Sequence, residues 1–268
     1  MSAVLTDLLI LERKINDVRC ANRFPPHTSV ASCMYDRRLL DDDAWVSTYS
    51  TPLSPAFNPI PCDRESMRAW FVKDLTLMIE WAKCLPQMGQ LLLNDKLALI
   101  KAFAPVFPLI QLAYFSCTHE SRRRSSTESP IDESFSSPSG VTSSTSRNKK
   151  ELPINALLID GVCHQMLRLR LSESHVVLYK LMLFFNPDAD GLSSTGKSTI
   201  ESERVKLLNY LYVQIIQDRA GKQGTELYSN ILLMTTTLII CLLARIITAS
   251  SAMVAFLERL FEERRHAD

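Results

Sequence analysis

The chain has 268 residues, and its 30 Lys and Arg are balanced by 29 Asp and Glu to give a formal net charge of +1. This balance excludes a general phosphate-coating nucleic-acid binder, which needs an excess of basic side chains. The hydrophobic share of 46% excludes a wholly disordered chain. Only 7 of the 268 residues are glycine, about 2.6%, where roughly 7% is usual. Because sheet-rich folds use glycine at turns and bulges, this scarcity predicts long helices.

The seven cysteines form no recognisable disulfide or zinc pattern. They are Cys20, Cys33, Cys62, Cys84, Cys117, Cys163 and Cys241. The number is odd, and no two of them have the spacing of a C-x2-C metal knuckle. We therefore expect free thiols in a reducing intracellular compartment, with neither a bound metal nor a cofactor.

Apolar periodicity predicts three helices in the first half of the chain. Hydrophobic residues recur at three- and four-residue steps, which predicts helices at 3–20, 64–84 and 94–116. Six prolines between 22 and 63 predict a long loop there. Asn94 is a plausible N-cap, and Pro105 and Pro108 are expected to kink or split the third helix.

The second half of the chain begins with a segment of different composition. Residues 119–150 are rich in serine and poor in apolar side chains, which predicts a disordered insertion. The stretch A-L-L-I-D-G-V at 156–162 is the one good candidate for a short strand and turn. Four further helices are predicted at about 173–185, 199–218, 223–249 and 252–264. Residues 227–244 carry no charge, and we interpret them as part of a buried core helix rather than a membrane span.

Residues 191–198 match the phosphate-loop pattern G-x-x-x-x-G-K-[ST] letter for letter. In a phosphate loop the backbone amides hold phosphates, and a strand must lead directly into the first glycine. Here Asp188 and Asp190 precede that glycine, and no alternation of strands and helices surrounds it. We interpret the match as an interhelical loop, with Ser198 or Thr199 capping the next helix. A nucleotide-binding enzyme remains an alternative.

Other catalytic patterns are missing from the sequence. The five histidines form no H-E-x-x-H pair, and no G-x-S-x-G accompanies them. We therefore name no catalytic residue and predict that the chain is not an enzyme.

Three stretches resemble a known family. The letters W-A-K-C-L-P-Q-M at 81–88 and L-N-D-K-L-A-L-I-K at 93–101 are similar to the signature of nuclear receptor ligand-binding domains. The letters L-F-F-N-P-D-A-D-G-L-S at 183–193 are similar to a second motif of that family. The resemblance covers nearly all of the chain except 119–150. It looks closest to the group like hepatocyte nuclear factor four, especially the expanded nematode receptors.

The resemblance implies an all-α fold, a three-layer antiparallel helical sandwich with one small β-turn and an apolar ligand cavity. The whole chain, 1–268, would be one ligand-binding domain that acts in the nucleus as a transcription regulator. The implied ligand-binding residues are apolar, namely Leu75, Met78, Ile79, Ala82, Phe107, Ile110 and Phe115. The family often holds a ligand carboxylate with an arginine near the position of Phe115, and no base lies between Lys101 and Arg122. Since a buried carboxylate without a cation is costly, we expect a neutral apolar ligand or none.

The resemblance also implies a surface for a coregulator helix with an L-x-x-L-L motif, which would lie in an apolar groove. Lys83 occupies the family's cationic clamp position, at the C-terminal end of the bound helix. The groove would be formed by Lys83, Leu97, Ile100, Lys101, Leu257, Glu258, Leu260, Phe261 and Glu262. Arg259 stands where the family has a carboxylate, so we expect weak activation or repression.

Pairing with a second nuclear receptor, as a homodimer or heterodimer, is another behaviour that the resemblance implies. The candidate interface residues are Leu227, Ile231, Met234 and Leu238, although burial in the core would explain them equally well. The family's DNA-binding zinc modules need eight closely paired cysteines, so we expect no direct DNA binding by this chain, and no membrane partner. A ligand-independent interaction scaffold is the second alternative.

Overall fold

The computed structural model describes residues 2–21, 30–50, 64–114, 117 and 159–248. Ten α-helices lie in these ranges: α1 Ser2–Cys20, α2 Val30–Tyr35, α3 Asp43–Ser50, α4 Arg64–Lys83, α5 Leu93–Phe103, α6 Phe107–Tyr114, α7 His164–Leu169, α8 Glu173–Phe184, α9 Ser194–Asp218 and α10 Lys222–Thr248. Two 3₁₀ turns occupy Leu39–Asp41 and Pro86–Gln90, and a π-helical turn occupies Ile159–Cys163. Strands are absent from these ranges, and the predicted all-α class is confirmed.

Helix α8 lies at the centre of the fold. Its residues 175–182 are all buried, because V-V-L-Y-K-L-M-L is apolar around nearly the whole helix. On one side α8 contacts α1, which packs with α4, and on the other it contacts α9, which packs against α10. Helix α5 lies beside α8 and contacts α4. The predicted three-layer sandwich is confirmed.

The proline-rich segment was predicted to be one long loop, and this prediction is wrong for its middle part. Helices α2 and α3 and the first 3₁₀ turn lie between residues 30 and 50. The prolines stand at 25, 26, 52, 55, 59 and 61, so residues 27–51 contain none and keep every backbone N–H for helical hydrogen bonds. Helix α2 packs against α4, and α3 packs against α1.

The strand and turn predicted at 156–162, the small β-turn of the implied fold, is wrong from Ile159 onward. The backbone there is π-helical, and residues 156–158 lie outside the described ranges. A Cβ on Gly161 would lie 3.3 Å from Thr237 and 3.5 Å from Cys241, so this turn rests on α10. A lone strand would leave its backbone groups without partners, whereas a helical turn satisfies them internally.

The helix predicted at 94–116 is broken in the expected place. Helices α5 and α6 meet at an angle of 51°, across residues 104–106. Pro105 cannot donate a backbone hydrogen bond, which explains the break. The cap is different from the prediction, since Leu92 is the N-cap residue and Asn94 lies inside the first turn. The predicted insertion at 119–150 and the predicted last helix at 252–264 lie outside the described residues.

Helix α10 is long and apolar. Among the described residues, Lys222–Leu243 has the length and composition of a membrane span, as would the bent pair α5–α6 taken as one segment. One face of α10 is buried in the core through Leu227, Ile231, Met234, Leu238 and Cys241. Core helices of this kind pass the same length test.

Candidate functional site

The predicted ligand-binding residues lie together in the core. Leu75, Met78, Ile79 and Ala82 of α4 are spaced at three- and four-residue steps and so share one helix face. All four are buried, and so are Phe107 and Ile110 of α6, in the same apolar cluster. Phe115 lies outside the described residues.

Trp81 is the centre of an aromatic group inside this cluster. Its ring lies 6.0 Å from Phe103, 6.2 Å from Phe107 and 5.2 Å from Phe184, measured between centroids. Edge-to-face pairs such as Trp81 with Phe184, at 80° between planes, are favourable beyond their buried area. The rings join α4, α5, α6 and α8, so the first signature motif anchors the core.

A buried ion pair that is not evident from the sequence joins α8 to α1. Lys180 of α8 donates to both carboxylate oxygens of Glu12 in α1, at 2.8 and 2.9 Å. The same ammonium lies 4.5 Å from the ring centre of Trp81 and 4.4 Å from that of Phe107. Burial lowers the pKa of Lys180, although Glu12 acts in the opposite direction. The available signal was a single charge inside the apolar run of α8, since buried charges need partners.

Among the described residues, three buried side-chain nitrogens have no hydrogen-bond partner. One of them, His175 Nε2, lies 3.0 Å from Asp218 Oδ2. The other two are the indole Nε1 of Trp81 and the amide Nε2 of Gln111. The side chains of Trp81 and Gln111 are at least 99% buried. Unpaired buried donors are rare because each carries a desolvation penalty of about 1–3 kcal/mol.

Lys83, the predicted clamp residue, is held by hydrogen bonds within its own chain. Lys83 Nζ donates to the carbonyl oxygens of Cys33 and Arg37, at 2.8 and 3.0 Å. It also donates to Glu80 Oε1 at 2.7 Å, and its side chain is 8% exposed. The other oxygen of Glu80 accepts a hydrogen bond from the backbone N–H of Leu39 at 2.7 Å. Burial raises the pKa of Glu80, against the opposing effect of Lys83.

The other predicted groove residues divide into two groups. In α5, Leu97 is half-buried, Ile100 is buried and Lys101 is exposed, so this helix presents a mixed surface beside α4. Leu257, Glu258, Leu260, Phe261 and Glu262 lie outside the described residues, as does Arg259.

The predicted dimer residues are buried in this chain. Leu227, Ile231, Met234 and Leu238 are at most 3% exposed and belong to the core cluster. The exposed face of α10 instead carries Leu233, Ile239, Ile240 and Leu243, each at least half exposed. The sequence could not separate these two faces because α10 is apolar on both.

The phosphate-loop match marks the beginning of α9. Asp95 of α5 accepts hydrogen bonds from the backbone N–H and the hydroxyl of Ser193, at 2.7 and 2.9 Å. Ser193 in turn accepts from the N–H of Gly196 and is the N-cap, so the caps predicted at Ser198 and Thr199 are wrong. A carboxylate thus lies against Gly196, where a phosphate loop would hold an anion. This arrangement joins the first and second signature motifs in space.

Comparisons with known proteins agree with this architecture. The family described as the ligand-binding domain of nuclear hormone receptor matches residues 58–245. Nuclear hormone receptor family member nhr-40 of Caenorhabditis elegans is 42% identical over 98% of this chain and 57% of its own length. Family member nhr-10 of the same organism is 26% identical over 87% of this chain and 58% of its own length.

The solved structures show the same fold. The Ultraspiracle ligand-binding domain from Drosophila melanogaster superposes with a TM-score of 0.54 at 17% identity, covering 94% of this chain and 95% of that domain. The chain spans a little more than half the length of the two nematode receptors named above. The family match covers most of the chain, and the two motifs that define the resemblance meet at Asp95 and Ser193. The chain belongs to the ligand-binding domain family of nuclear hormone receptors.

Proposed function

We propose that this domain binds a neutral, largely apolar ligand and recruits a coregulator helix, acting through protein contacts and not by catalysis. The observation that carries the ligand proposal is the pairing of Lys180 with Glu12 beside the aromatic group. The other fully buried lysine of the described residues, Lys73, donates to backbone carbonyl oxygens of Arg19 and Ala21. Neither ammonium is left for a ligand carboxylate, and an unpaired buried carboxylate is costly. This supports a neutral ligand.

The ligand is further proposed to carry a hydrogen-bond acceptor, such as a carbonyl, ether or hydroxyl oxygen. The support is the pair of unpartnered donors, Trp81 Nε1 and Gln111 Nε2. Both lie on helices that carry proposed ligand-binding residues, α4 and α6. An acceptor atom near either donor would remove its desolvation penalty.

Native mass spectrometry of the purified chain tests the ligand proposal. A neutral, oxygen-bearing apolar molecule is expected to copurify, and Gln111→Leu is expected to reduce its occupancy. Gln214→Leu is the matched control, because Gln214 bonds to Asp218 on α9, away from this core. A bound fatty acid or another anion would contradict the proposal. A chain that never carries a small molecule would favour the ligand-independent scaffold.

The coregulator surface is proposed at the end of α4 and along α5. Lys83 would hold the C-terminal carbonyls of an L-x-x-L-L helix, because a cation complements that end of the helix dipole. Leu97 and Lys101 would line the groove, with the buried Ile100 packed beneath them. Leu257, Glu258, Leu260, Phe261 and Glu262 would complete it. Binding of a fluorescent L-x-x-L-L peptide should weaken in Lys83→Ala and stay unchanged in Lys197→Ala, an exposed lysine on α9. Equal affinities in the two variants would remove Lys83 from the mechanism.

Dimerisation with a second nuclear receptor is proposed through the exposed face of α10 instead of the buried residues first named. Leu233, Ile240 and Leu243 recur at seven- and three-residue steps and form an exposed apolar stripe. Analytical ultracentrifugation should show self-association that Ile240→Lys abolishes. Ile10→Lys, at an exposed position of α1, is the control and should leave it intact. A monomeric wild-type chain would leave only a heterodimer. The site of action is proposed to be the nucleus.

A further inference from the structure

The hydrogen-bonding capacity of Lys83 is fully used within the chain. A lysine ammonium has three N–H donors and no acceptor. Each donor has an acceptor at 2.7 to 3.0 Å: the carbonyl oxygens of Cys33 and Arg37, and Glu80 Oε1. With the side chain 8% exposed, no donor remains for the carbonyls of a second chain.

The two carbonyls lie at the end of a helix and just beyond it. Helix α2 ends at Tyr35, so Cys33 O belongs to its last turn, where carbonyls commonly accept hydrogen bonds from groups outside the helix. Lys83 satisfies this carbonyl and that of Arg37 just beyond the helix. This is the chemistry that the clamp would offer to a coregulator helix, whose C-terminal carbonyls need a cation. The chain thus presents its own helix end to the clamp.

Glu80 fixes both parts of this arrangement. Its side chain is fully buried, one oxygen accepts from Lys83 and the other accepts from the N–H of Leu39. Leu40, next to that N–H, is also buried, at 1% exposure. The segment 33–39 is therefore held over Lys83 at three points: two carbonyls on the ammonium and one N–H on the carboxylate.

We propose that residues 33–39 compete with a coregulator helix for Lys83, so that the clamp becomes available only when this segment is released. The inference rests on the proposed role of Lys83 in the coregulator surface. It adds that in the free domain Lys83 binds the carbonyls at and just beyond the end of α2. It also adds that the Leu39–Glu80 hydrogen bond holds this segment in place.

A single substitution can remove the Leu39–Glu80 hydrogen bond. Leu39→Pro removes the N–H that Glu80 accepts, and Leu39→Ala keeps it while shortening the side chain. Proline fits here, because Leu39 is the first residue of a 3₁₀ turn and Arg38 before it has an extended backbone, with φ −69° and ψ 114°. Comparing the two variants isolates the hydrogen bond from the loss of the leucine side chain.

Two measurements separate the possibilities. The first is fluorescence polarisation of an L-x-x-L-L peptide, with and without Lys83→Ala. The second needs no peptide: acetylation of Lys83 by a soluble N-hydroxysuccinimide ester, followed by mass spectrometry, with the half-exposed Lys197 as internal standard. In Leu39→Pro we expect about tenfold faster acetylation of Lys83 and about tenfold tighter peptide binding than in Leu39→Ala, the factor that corresponds to about 1.4 kcal/mol. The gain in peptide binding should vanish when Lys83 is alanine.

The inference is overturned if Lys83 is acetylated equally fast in both variants, or if peptide affinity does not differ between them. In those cases Lys83-dependent binding by the wild-type chain would leave the proposed coregulator surface intact. Faster acetylation with no peptide binding in any variant would instead reject the coregulator surface, and with it a competitor for it. If Leu39→Pro is unfolded by circular dichroism, hydrogen exchange of the wild-type chain decides. Saturating peptide should then expose the amides of 33–39, and unchanged protection would overturn the inference.

Discussion

Removing the charge of Glu12 is the most informative perturbation of the core. In Glu12→Gln the Lys180 ammonium keeps its place against Trp81 and Phe107 but loses its carboxylate. Two unit charges 2.8 Å apart attract by about 6 kcal/mol at the effective dielectric constant of about 20 that suits protein sites. The amide oxygen and the two aromatic faces recover part of this, so we expect a loss of about 3–5 kcal/mol in the free energy of unfolding.

The double variant Glu12→Gln/Lys180→Met tests the cause of that loss. Methionine fills much of the lysine volume and contacts aromatic rings favourably, and no charge is left to desolvate. The double variant should therefore be more stable than Glu12→Gln alone. If the effects of the two substitutions simply added, the double variant would be the less stable of the two. Urea unfolding followed by far-UV circular dichroism measures both, since α1 and α8 are helical.

The pH dependence gives an independent check. Burial lowers the pKa of Lys180, so the unfolded chain binds more protons than the folded chain as the pH approaches the ordinary lysine value of about 10.5. Stability from this group therefore rises with pH across that window, and more steeply in Glu12→Gln. A loss below about 1 kcal/mol in Glu12→Gln, the range of exposed pairs, or a double variant less stable than the single one, would refute the reasoning.

Three further predictions concern stability and use the same unfolding assay. Gly196→Ala should cost about 1–3 kcal/mol, because its Cβ would lie 2.5 Å from the buried Asp95 carboxylate, whereas Gly89→Ala, with nothing within 4 Å, should cost little. Burial lowers the pKa of His175, so stability should fall as the pH drops below about 6.5. His175→Gln should reduce this loss of stability at low pH, and its side-chain oxygen can still accept in the capping box. An unchanged dependence of stability on pH would show that His175 is not its source. Arg19→Lys should destabilise, because it loses the two-point contact with Asp74 at 2.7 and 3.2 Å, and equal stability would contradict a role for the second bond.

Much of the fold could be predicted from local pattern. Helices α4 and α8 and the break between α5 and α6 follow from apolar spacing and from Pro105, which act within a few residues. The predictions that are wrong concern positions whose structure depends on contacts with residues far away in the sequence. Ser193 caps α9 by accepting from Gly196, and its own N–H and hydroxyl donate to Asp95, which is 98 residues away and cannot be found from local pattern. The strand predicted at 156–162 failed because the packing of Gly161 on α10 cannot be read from local sequence.

The candidate site likewise has some features that local sequence predicts and others that depend on contacts in the folded chain. Residue type and spacing were enough to predict the family motifs, the absence of a base between Lys101 and Arg122 and the apolar character of α10. Packing in three dimensions sets which face of α10 is buried, which acid pairs with Lys180 and which groups bind Lys83. Charges and apolar faces are paired by distance in space, and Lys83 meets Cys33 across 50 residues of chain. A linear pattern specifies what each side chain can do, and the packed helices select the partner with which it does so.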